Sequence, residues 1–284
     1  MEAMRYGLCI FLTHYAASPA ATARAAEDFG FESLWVPEHP CIPVHYETPF
    51  PGSADGKAPR PYWSSYDPFV ALSFAAAATS KIRLATGICL VAQRDPIVTA
   101  KEVASLDVLS GGRFLFGVGG GWLKEEMVLM GANYARRWAQ VKDRILAMKK
   151  IWTEDEAEYS GEFVNYPPIK SDPKPLQKPH PPVHIGGNHP NSFKRVGEWG
   201  DGWIPLRLSP EEAKEGREKI ASYARAAGRD ASKIEISVFG SEPSLDQRKA
   251  YEDAGVHRYV IFQKSAGPWE MERQLSALAG LLGL

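Results

Sequence analysis

Short runs of β-forming residues alternate with helical patterns along the whole chain, and this alternation restricts the possible folds more than any other feature. Eight runs have the length and apolar character of buried strands. They are residues 6–12, 33–36, 82–91, 113–118, 182–186, 202–206, 235–239 and 258–263. Strands separated by helices pair in parallel, and eight such units in 284 residues are typical of one α/β fold, the closed (β/α)8 TIM barrel.

Four helix starts carry the same signal, a capping side chain followed by proline at the first helical position. They are Ser18-Pro19, Asp67-Pro68, Asp95-Pro96 and Ser209-Pro210. Ser209 together with Glu212 also predicts a capping box. Between residues 135 and 152, apolar side chains recur every three or four positions, which predicts a helix with one buried face.

Two segments interrupt this rhythm without a period of their own. Residues 37–65, after strand two, are rich in proline, glycine and aromatic residues, and residues 153–181, before strand five, are rich in proline and lysine. Both are interpreted as loop excursions from the barrel. The first leaves the carboxyl end of a strand, so we expect it to cover the functional face. Residues 1–284 are predicted to form a single domain.

The overall charge and the cysteines restrict the expected partners. A net charge of −1 gives no general attraction to nucleic acid or to a membrane surface. No run of apolar residues predicts a membrane span, and the first residues are not expected to be a signal peptide. Cys9, Cys41 and Cys89 are odd in number and not spaced as CxxC, which is typical of reduced thiols in a cytoplasmic protein. The expected partner is a small-molecule substrate.

The best polar candidates follow strand two. Functional side chains of a parallel barrel lie just beyond the carboxyl ends of its strands, and Glu38 and His39 occupy such a position. A histidine beside a carboxylate can exchange a proton near neutral pH, although a histidine that only bonds the following loop would look the same in sequence. Glu38 and His39 are therefore the candidate catalytic residues.

Glycines mark the turns around strands three, four and five. Gly87 interrupts a strand pattern, which indicates a bulge or a close backbone approach. Residues 117–122 read GVGGGW, which is not the GxGxxG of dinucleotide-binding folds. Residues 186–188 read GGN, ahead of a helix that starts near Pro190. In both turns, backbone amides could approach a planar ring or a phosphate.

A metal-dependent hydrolase is the main alternative for such a barrel, and it needs several histidine and aspartate ligands at the strand ends. Here strand one ends in the single His14, His184 lies inside strand five, and Asp201 precedes strand six. These spacings do not build a ligand set, so no metal is expected. Cys89 is not expected to be a nucleophile, because no adjacent base is evident.

Longer strings carry a resemblance to a known family. They are ESLWVPEHP at 32–40, TGICLVAQRDPIVTAKEVASLDVLSGGRFLFGVGGGW at 86–122, PPVHIGG at 181–187 and GDGWIP at 200–205. In this order and spacing, the chain resembles the bacterial luciferase-like superfamily, especially its short F420-dependent oxidoreductases. The resemblance implies a luciferase-like (β/α)8 barrel, often a homodimer, that binds the deazaflavin coenzyme F420 or reduced FMN at its carboxyl mouth.

The resemblance also assigns roles to residues. Glu38 and His39 match the acidic–histidine pair beside the cofactor ring, and Gly87-Ile88 matches a bulge, often a cis peptide, behind it. The other cofactor-binding residues it implies are Arg94, Gly119, Gly120, Gly121, Gly186, Gly187 and Asn188. Asp107 and Arg113 match too, but they flank a turn at the opposite end of the barrel, where a structural role is expected.

One position departs from the sugar-phosphate dehydrogenase branch of this family. That branch has a catalytic carboxylate directly after the glycine turn, where this chain has Trp122, with Glu125 and Glu126 one helical turn later. Sugar-phosphate oxidation is therefore not expected, and the proton donor is open.

Three functions follow from the resemblance. The first is F420-dependent hydride transfer to or from a small organic substrate. The second is an FMN-dependent monooxygenase that uses reduced flavin and oxygen, with residues 46–66 as a lid. The third is a non-catalytic flavin-binding protein. A basic groove would favour F420, whose tail carries glutamates; the candidates are Arg60, Arg94, Arg136, Arg137, Arg207 and Lys264.

Overall fold

Parallel strands close into an eight-stranded barrel in the computed structural model, which describes residues 4–241 and 245–284. The barrel consists of β1 (Arg5–Ile10), β2 (Ser33–Val36), β3 (Arg83–Thr86), β4 (Phe114–Val118), β7 (Val183–Gly186), β8 (Gly202–Ile204), β9 (Glu235–Gly240) and β10 (Arg258–Gln263). β1 pairs with β10 and closes the barrel. β5 (Ala157–Ser160) and β6 (Asn165–Ile169) pair separately and antiparallel. The predicted fold class is confirmed.

Helices surround the barrel and follow the strands as expected. They are α1 (Pro19–Asp28), α2 (Pro61–Ser64), α3 (Pro68–Ala78), α4 (Pro96–Leu109), α5 (Lys124–Leu129), α6 (Arg137–Thr153), α7 (Pro190–Trp199), α8 (Pro210–Ala226), α9 (Leu245–Asp253) and α10 (Pro268–Leu282). Short 3-10 turns cover Val91–Gln93 and Ala231–Lys233. All four predicted helix starts are confirmed, because each capping side chain accepts an amide of the first turn, and the capping box at Ser209 is present.

The third predicted strand is wrong beyond Thr86. β3 ends there, the Gly87–Ile88 peptide is cis, and the chain then enters the 3-10 turn Val91–Gln93. The apolar pattern continues past the strand because Leu90 and Val91 are buried between the barrel and its helices, where an irregular segment also requires apolar side chains.

The second loop excursion contains a hairpin that the sequence did not predict. β5 and β6 have only four and five residues, and two prolines interrupt β6, so no alternation was visible. The hairpin is held from α6 by Asp143, which accepts from the Tyr159 hydroxyl at 2.7 Å and from the Phe163 amide at 2.7 Å. Its formation therefore depends on a contact outside the segment itself.

A buried ionic cluster closes the amino end of the barrel. The Arg258 side chain is 0% exposed and donates two hydrogen bonds of 2.6 Å to Glu32 and one of 3.1 Å to Glu235. His184 lies in the same layer, fully buried, and its ring is 3.9 Å from Glu235. The predicted site residues Glu38 and His39 lie at the opposite end, beyond the carboxyl end of β2.

His184 makes stability dependent on pH. Burial lowers the pKa of His184 to about 4, below the ordinary 6.5, so between these values the unfolded chain binds a proton that the folded chain does not. Acidification therefore removes stability through this window. We expect the free energy of unfolding in urea to fall by about 2 kcal/mol from pH 7 to pH 5 because of this group. His184→Gln should remove that loss, while His45→Gln, at an exposed histidine, should retain it; equal slopes in all three proteins would contradict the assignment.

Candidate active site

His39 lies at the carboxyl mouth between two side chains that sequence reasoning did not connect to it. Its Nδ1 is 2.9 Å from Glu126 Oε2, and the Trp122 indole N–H donates to its Nε2 at 3.1 Å. Because an indole can only donate, Nε2 carries the lone pair, and Nδ1 donates its proton to Glu126. The His39 and Glu126 side chains are only 6% and 1% exposed. The result is a buried histidine–carboxylate pair.

Glu126 is held in place by further donors. Gln93 Nε2 lies 3.3 Å from Oε2, and the Cys41 amide donates to Oε1 at 3.4 Å. Its neighbour Glu125 instead accepts the Glu47 amide at 2.8 Å and fastens the loop after β2. The sequence showed two carboxylates one turn after Trp122, but α5 is too short for its periodicity to reveal which one faces inward.

Glu38 points away from His39 although the two are adjacent in sequence. Its carboxylate accepts from the Leu90 amide at 2.7 Å and from Arg94 Nε at 2.6 Å. Burial raises the pKa of Glu38, and Arg94 and the Leu90 amide oppose that rise. Consecutive side chains of an extended segment point to opposite sides, which accounts for the separation. The carboxylate that bonds His39 is therefore Glu126, and Glu38 holds the turn after β3.

Arg94, expected to bind the cofactor, lies in an ionic cluster instead. It bonds Glu38, Asp67 and Glu102, the last at 3.1 Å, and its guanidinium lies over the Phe69 ring. Three carboxylates compensate its charge, and the cluster joins the turn after β3 to α3 and α4. The structure thus gives Arg94 a role in holding this turn, and its cofactor contact stays a prediction.

The three predicted glycine turns meet at the side chain of Ile88. A Cβ at Gly119 would overlap Ile88 Cδ1, and one at Gly186 would lie 3.2 Å from Ile88 Cγ2. A Cβ at Gly120 would lie 2.8 Å from the Trp138 indole, and Gly121 ends the turn with φ of +71°. The turns after β3, β4 and β7 therefore meet beside one apolar side chain, while their cofactor contacts stay predictions.

The turn after β7 lies against an unpaired hydroxyl. Asn188 is used internally, because its side-chain amide bonds the Leu206 backbone twice, both times at 2.7 Å. Ser192, in the first turn of α7, is 1% exposed, and its Oγ has no hydrogen-bond partner among the described residues. A Cβ at Gly187 would lie 3.4 Å from that oxygen. A buried hydroxyl without a partner at a helix N-terminus suits an anionic group.

Aromatic side chains of the first loop excursion cover the mouth. The Tyr62 ring centroid is 5.0 Å from that of His39, 4.5 Å from that of Phe11 and 4.8 Å from that of Phe50, and Phe50 also packs edge-on against Trp122. Burial raises the pKa of Tyr62 to about 12. The excursion therefore folds over the face that was expected, although the sequence did not single out Tyr62.

Residues 4–241 and 245–284 contain no group of three histidine, cysteine or acidic side chains that could hold a metal ion. The same residues form no helix that is long and apolar enough to cross a bilayer.

Asp107 and Arg113 lie at the amino end of the barrel, as expected. Asp107 is fully buried and accepts from the Gln177 amide at 2.9 Å, and Arg113 donates to the backbone carbonyls of Ala76 and Ile82 at 3.0 and 2.8 Å. These contacts join helix ends to the strand turns. Both residues act structurally.

Known proteins resemble this chain in sequence or in fold. A Mycobacterium tuberculosis protein described as uncharacterized is 40% identical over 258 residues, 89% of each chain. Monooxygenase RslO1 from Streptomyces bottropensis superposes with a TM-score of 0.74 at 20% identity over 98% of each chain. The coenzyme F420 dependent tetrahydromethanopterin reductase from Methanopyrus kandleri gives 0.73 at 19% identity, over 99% of this chain and 98% of that one. At such identities the two structures establish a common fold.

The sequence also matches a protein family, which is stronger evidence of relationship than a shared fold. The model for luciferase-like monooxygenases matches residues 4–282, which include every barrel strand and the His39 mouth. Together with the closed parallel barrel, this match shows that the chain belongs to the luciferase-like monooxygenase family of oxidoreductases.

Proposed function

We propose that this protein is an F420-dependent oxidoreductase that transfers a hydride to or from a small organic substrate. The observation that carries the proposal is the buried His39–Glu126 pair at the barrel mouth. The full-length likeness to an F420-dependent reductase supports it. Such a pair can take up or release one proton, which is what the oxidation of an alcohol or the reduction of a carbonyl requires beside hydride transfer.

The residues at the mouth fit a flat ring with a phosphate. Gly119 and Gly186 let the turns after β4 and β7 pack closely against Ile88, whose half-buried side chain offers an apolar surface for a flat ring. The Ser192 hydroxyl, which is buried without a partner among the described residues at the start of α7, fits the phosphate. When bound, F420 accepts or supplies a hydride at its ring.

His39 can act at its Nε2 atom. The Trp122 indole N–H occupies this nitrogen, and a substrate hydroxyl that displaced the indole would donate to the same lone pair. In the oxidative direction, Nε2 would accept the proton of the substrate hydroxyl. In the reductive direction, Nε2 would donate a proton to the carbonyl oxygen of the substrate. Glu126 would stabilise the charged imidazole through Nδ1 and keep the ring oriented. Glu126 is thus a positioning residue.

An FMN-dependent monooxygenase is the second candidate. The observation that favours it is the aromatic cover formed by Phe50, Tyr62 and Trp122, because oxygen chemistry on a reduced flavin requires a mouth protected from water. The likeness to RslO1 over the whole chain also supports it.

Parallel titration with F420 and FMN tests these candidates. Fluorescence and thermal shift should show that F420 binds at least about tenfold more tightly than FMN, a difference of 1.4 kcal/mol. Binding of FMN without binding of F420 contradicts the first candidate. Oxygen consumption with reduced FMN and a flavin reductase then supports the second. Cofactor binding with no turnover of alcohols, carbonyls or oxygen would leave a non-catalytic flavin binder.

We also propose that two copies associate through α3. This helix has no charged residue, and its outward Val70 and Phe74 are 56% and 63% exposed. Val98 and Leu109 on α4, which packs beside α3, are also 57% and 76% exposed. A helix that is apolar all round is normally covered, and a second copy can cover it about a twofold axis. Light scattering should find a dimer that Phe74→Glu converts to monomers, and a monomeric parent protein contradicts the proposal.

A further inference from the structure

We propose that Arg137, Lys194 and Arg195 form an anion site outside the barrel, between α6 and α7, for the tail carboxylates that follow the phosphate of F420. The proposal rests on the proposed function and deepens it, because FMN ends at its phosphate and has no group that would reach this site. Of the basic residues considered in the sequence, this groove keeps Arg137, whereas Arg94 and Arg136 are neutralised by carboxylates.

The first observation is a pair of buried guanidinium donors without acceptors. Arg195 lies over the Trp138 ring at 4.1 Å, and its Nη1 is buried without a hydrogen-bond partner among the described residues. Arg137 donates through Nη1 to the Tyr134 carbonyl at 2.9 Å, but its Nε is buried and has no partner in the same part of the chain. In the described part of the chain, no carboxylate lies within 4.0 Å of either guanidinium. Burying a charged donor without an acceptor costs free energy, and an anionic ligand would remove that cost.

The second observation is an excess of positive charge around a cavity. Lys142 and Lys194 share the single carboxylate of Glu198, at 3.6 and 3.7 Å. Burial and the like charge of Arg137 lower the pKa of the Arg195 guanidinium. The cavity lined by Lys142, Lys194, Arg195 and Glu198 measures about 330 Å³, which is room for a carboxylate and its waters. Cations that repel one another around an open space favour an anion there.

The third observation is the position of this groove relative to the barrel mouth. The Trp138 ring that supports Arg195 also lies against Gly120 of the glycine turn. On α7, Arg195 follows Ser192 by three residues, or about 5 Å along the helix axis. Ser192 in turn lies beside Gly187, where the phosphate is proposed. The anion site therefore begins about where the proposed phosphate position ends.

Two forms of the coenzyme test the site, one with its glutamate tail and one that keeps the phosphate but lacks every glutamate. The wild-type protein should bind the tailed form about tenfold more tightly at low salt, as expected for a charged hydrogen bond. Arg195→Gln and Lys194→Gln should each reduce that preference, and Lys214→Gln, an exposed lysine on α8, should retain it. Circular dichroism would confirm that the variants are folded.

The outcomes separate this site from the proposed function. Equal affinity of the wild-type protein for both forms overturns the site while F420 binding stands. An equal loss for both forms in Arg195→Gln also overturns it. If neither form binds, the proposed function fails, and a free γ-linked oligoglutamate peptide becomes the probe. A rise in Tm with this peptide in wild type but not in Arg195→Gln supports the site, and the absence of any rise overturns it.

Discussion

Replacing His39 with glutamine is expected to lower kcat/KM for the hydride-transfer reaction by about 10²- to 10⁴-fold, the usual contribution of a general acid–base group. The glutamine amide can still donate to Glu126, so the buried carboxylate keeps a partner, but it cannot take up a proton. The affinity for F420 should stay within about threefold of wild type, because this is less than the change expected from the loss of one typical hydrogen bond. The measurements are initial rates from the coenzyme absorbance and a fluorescence titration.

Two neighbouring carboxylates provide the controls for this prediction. Glu126→Gln removes the charge that stabilises protonated His39, so the pH at which the oxidation rate falls should move lower. Glu125→Gln, one residue earlier on the same helix, changes a loop contact and should leave the pH profile unchanged. Wild-type rates in His39→Gln would remove His39 from the chemistry, and identical pH profiles in the two glutamine variants would remove Glu126 from its positioning role.

Replacing Arg258 with methionine is expected to lower the free energy of unfolding by about 3–5 kcal/mol, the usual effect of removing one partner from a buried ion pair. Arg258 is fully buried and bonds both Glu32 and Glu235, and methionine fills its volume without its charge. Two carboxylates at the closed end of the barrel would then share only Arg5, which is 2.9 Å from Glu235 and 3.5 Å from Glu32. Urea unfolding at pH 7 measures the change.

An exposed ion pair gives the comparison for Arg258. Arg273 bonds Glu270 at 2.8 Å on the surface of α10, where water and salt screen the charges. Arg273→Met should therefore change the stability little. A similarly small change in Arg258→Met would mean that water or Arg5 compensates the buried glutamates, which the geometry of the cluster does not predict.

Local signals predicted much of the barrel. Strand composition and the capping pairs depend on residues close in sequence, and Asp67 and Asp95 cap α3 and α4 as their sequence context indicates. The errors occur where an apolar segment is buried without being a strand, as after Thr86, or where a distant residue such as Asp143 stabilises a hairpin. Periodicity reports burial, and it does not distinguish a strand from an irregular segment in the same layer.

By itself, the sequence determined the fold class and four helix starts, because each follows from short-range patterns, the strand pattern eight times and the capping pair four times. Only the tertiary structure decided that Glu126, 87 positions away, bonds His39 while Glu38 bonds Arg94. It likewise decided that, within residues 4–241 and 245–284, Arg137 and Arg195 have no carboxylate partner whereas Arg94 has three. The physical reason is that hydrogen bonds and ion pairs act over a few ångströms in space, and closure of the barrel determines which distant residues come that close.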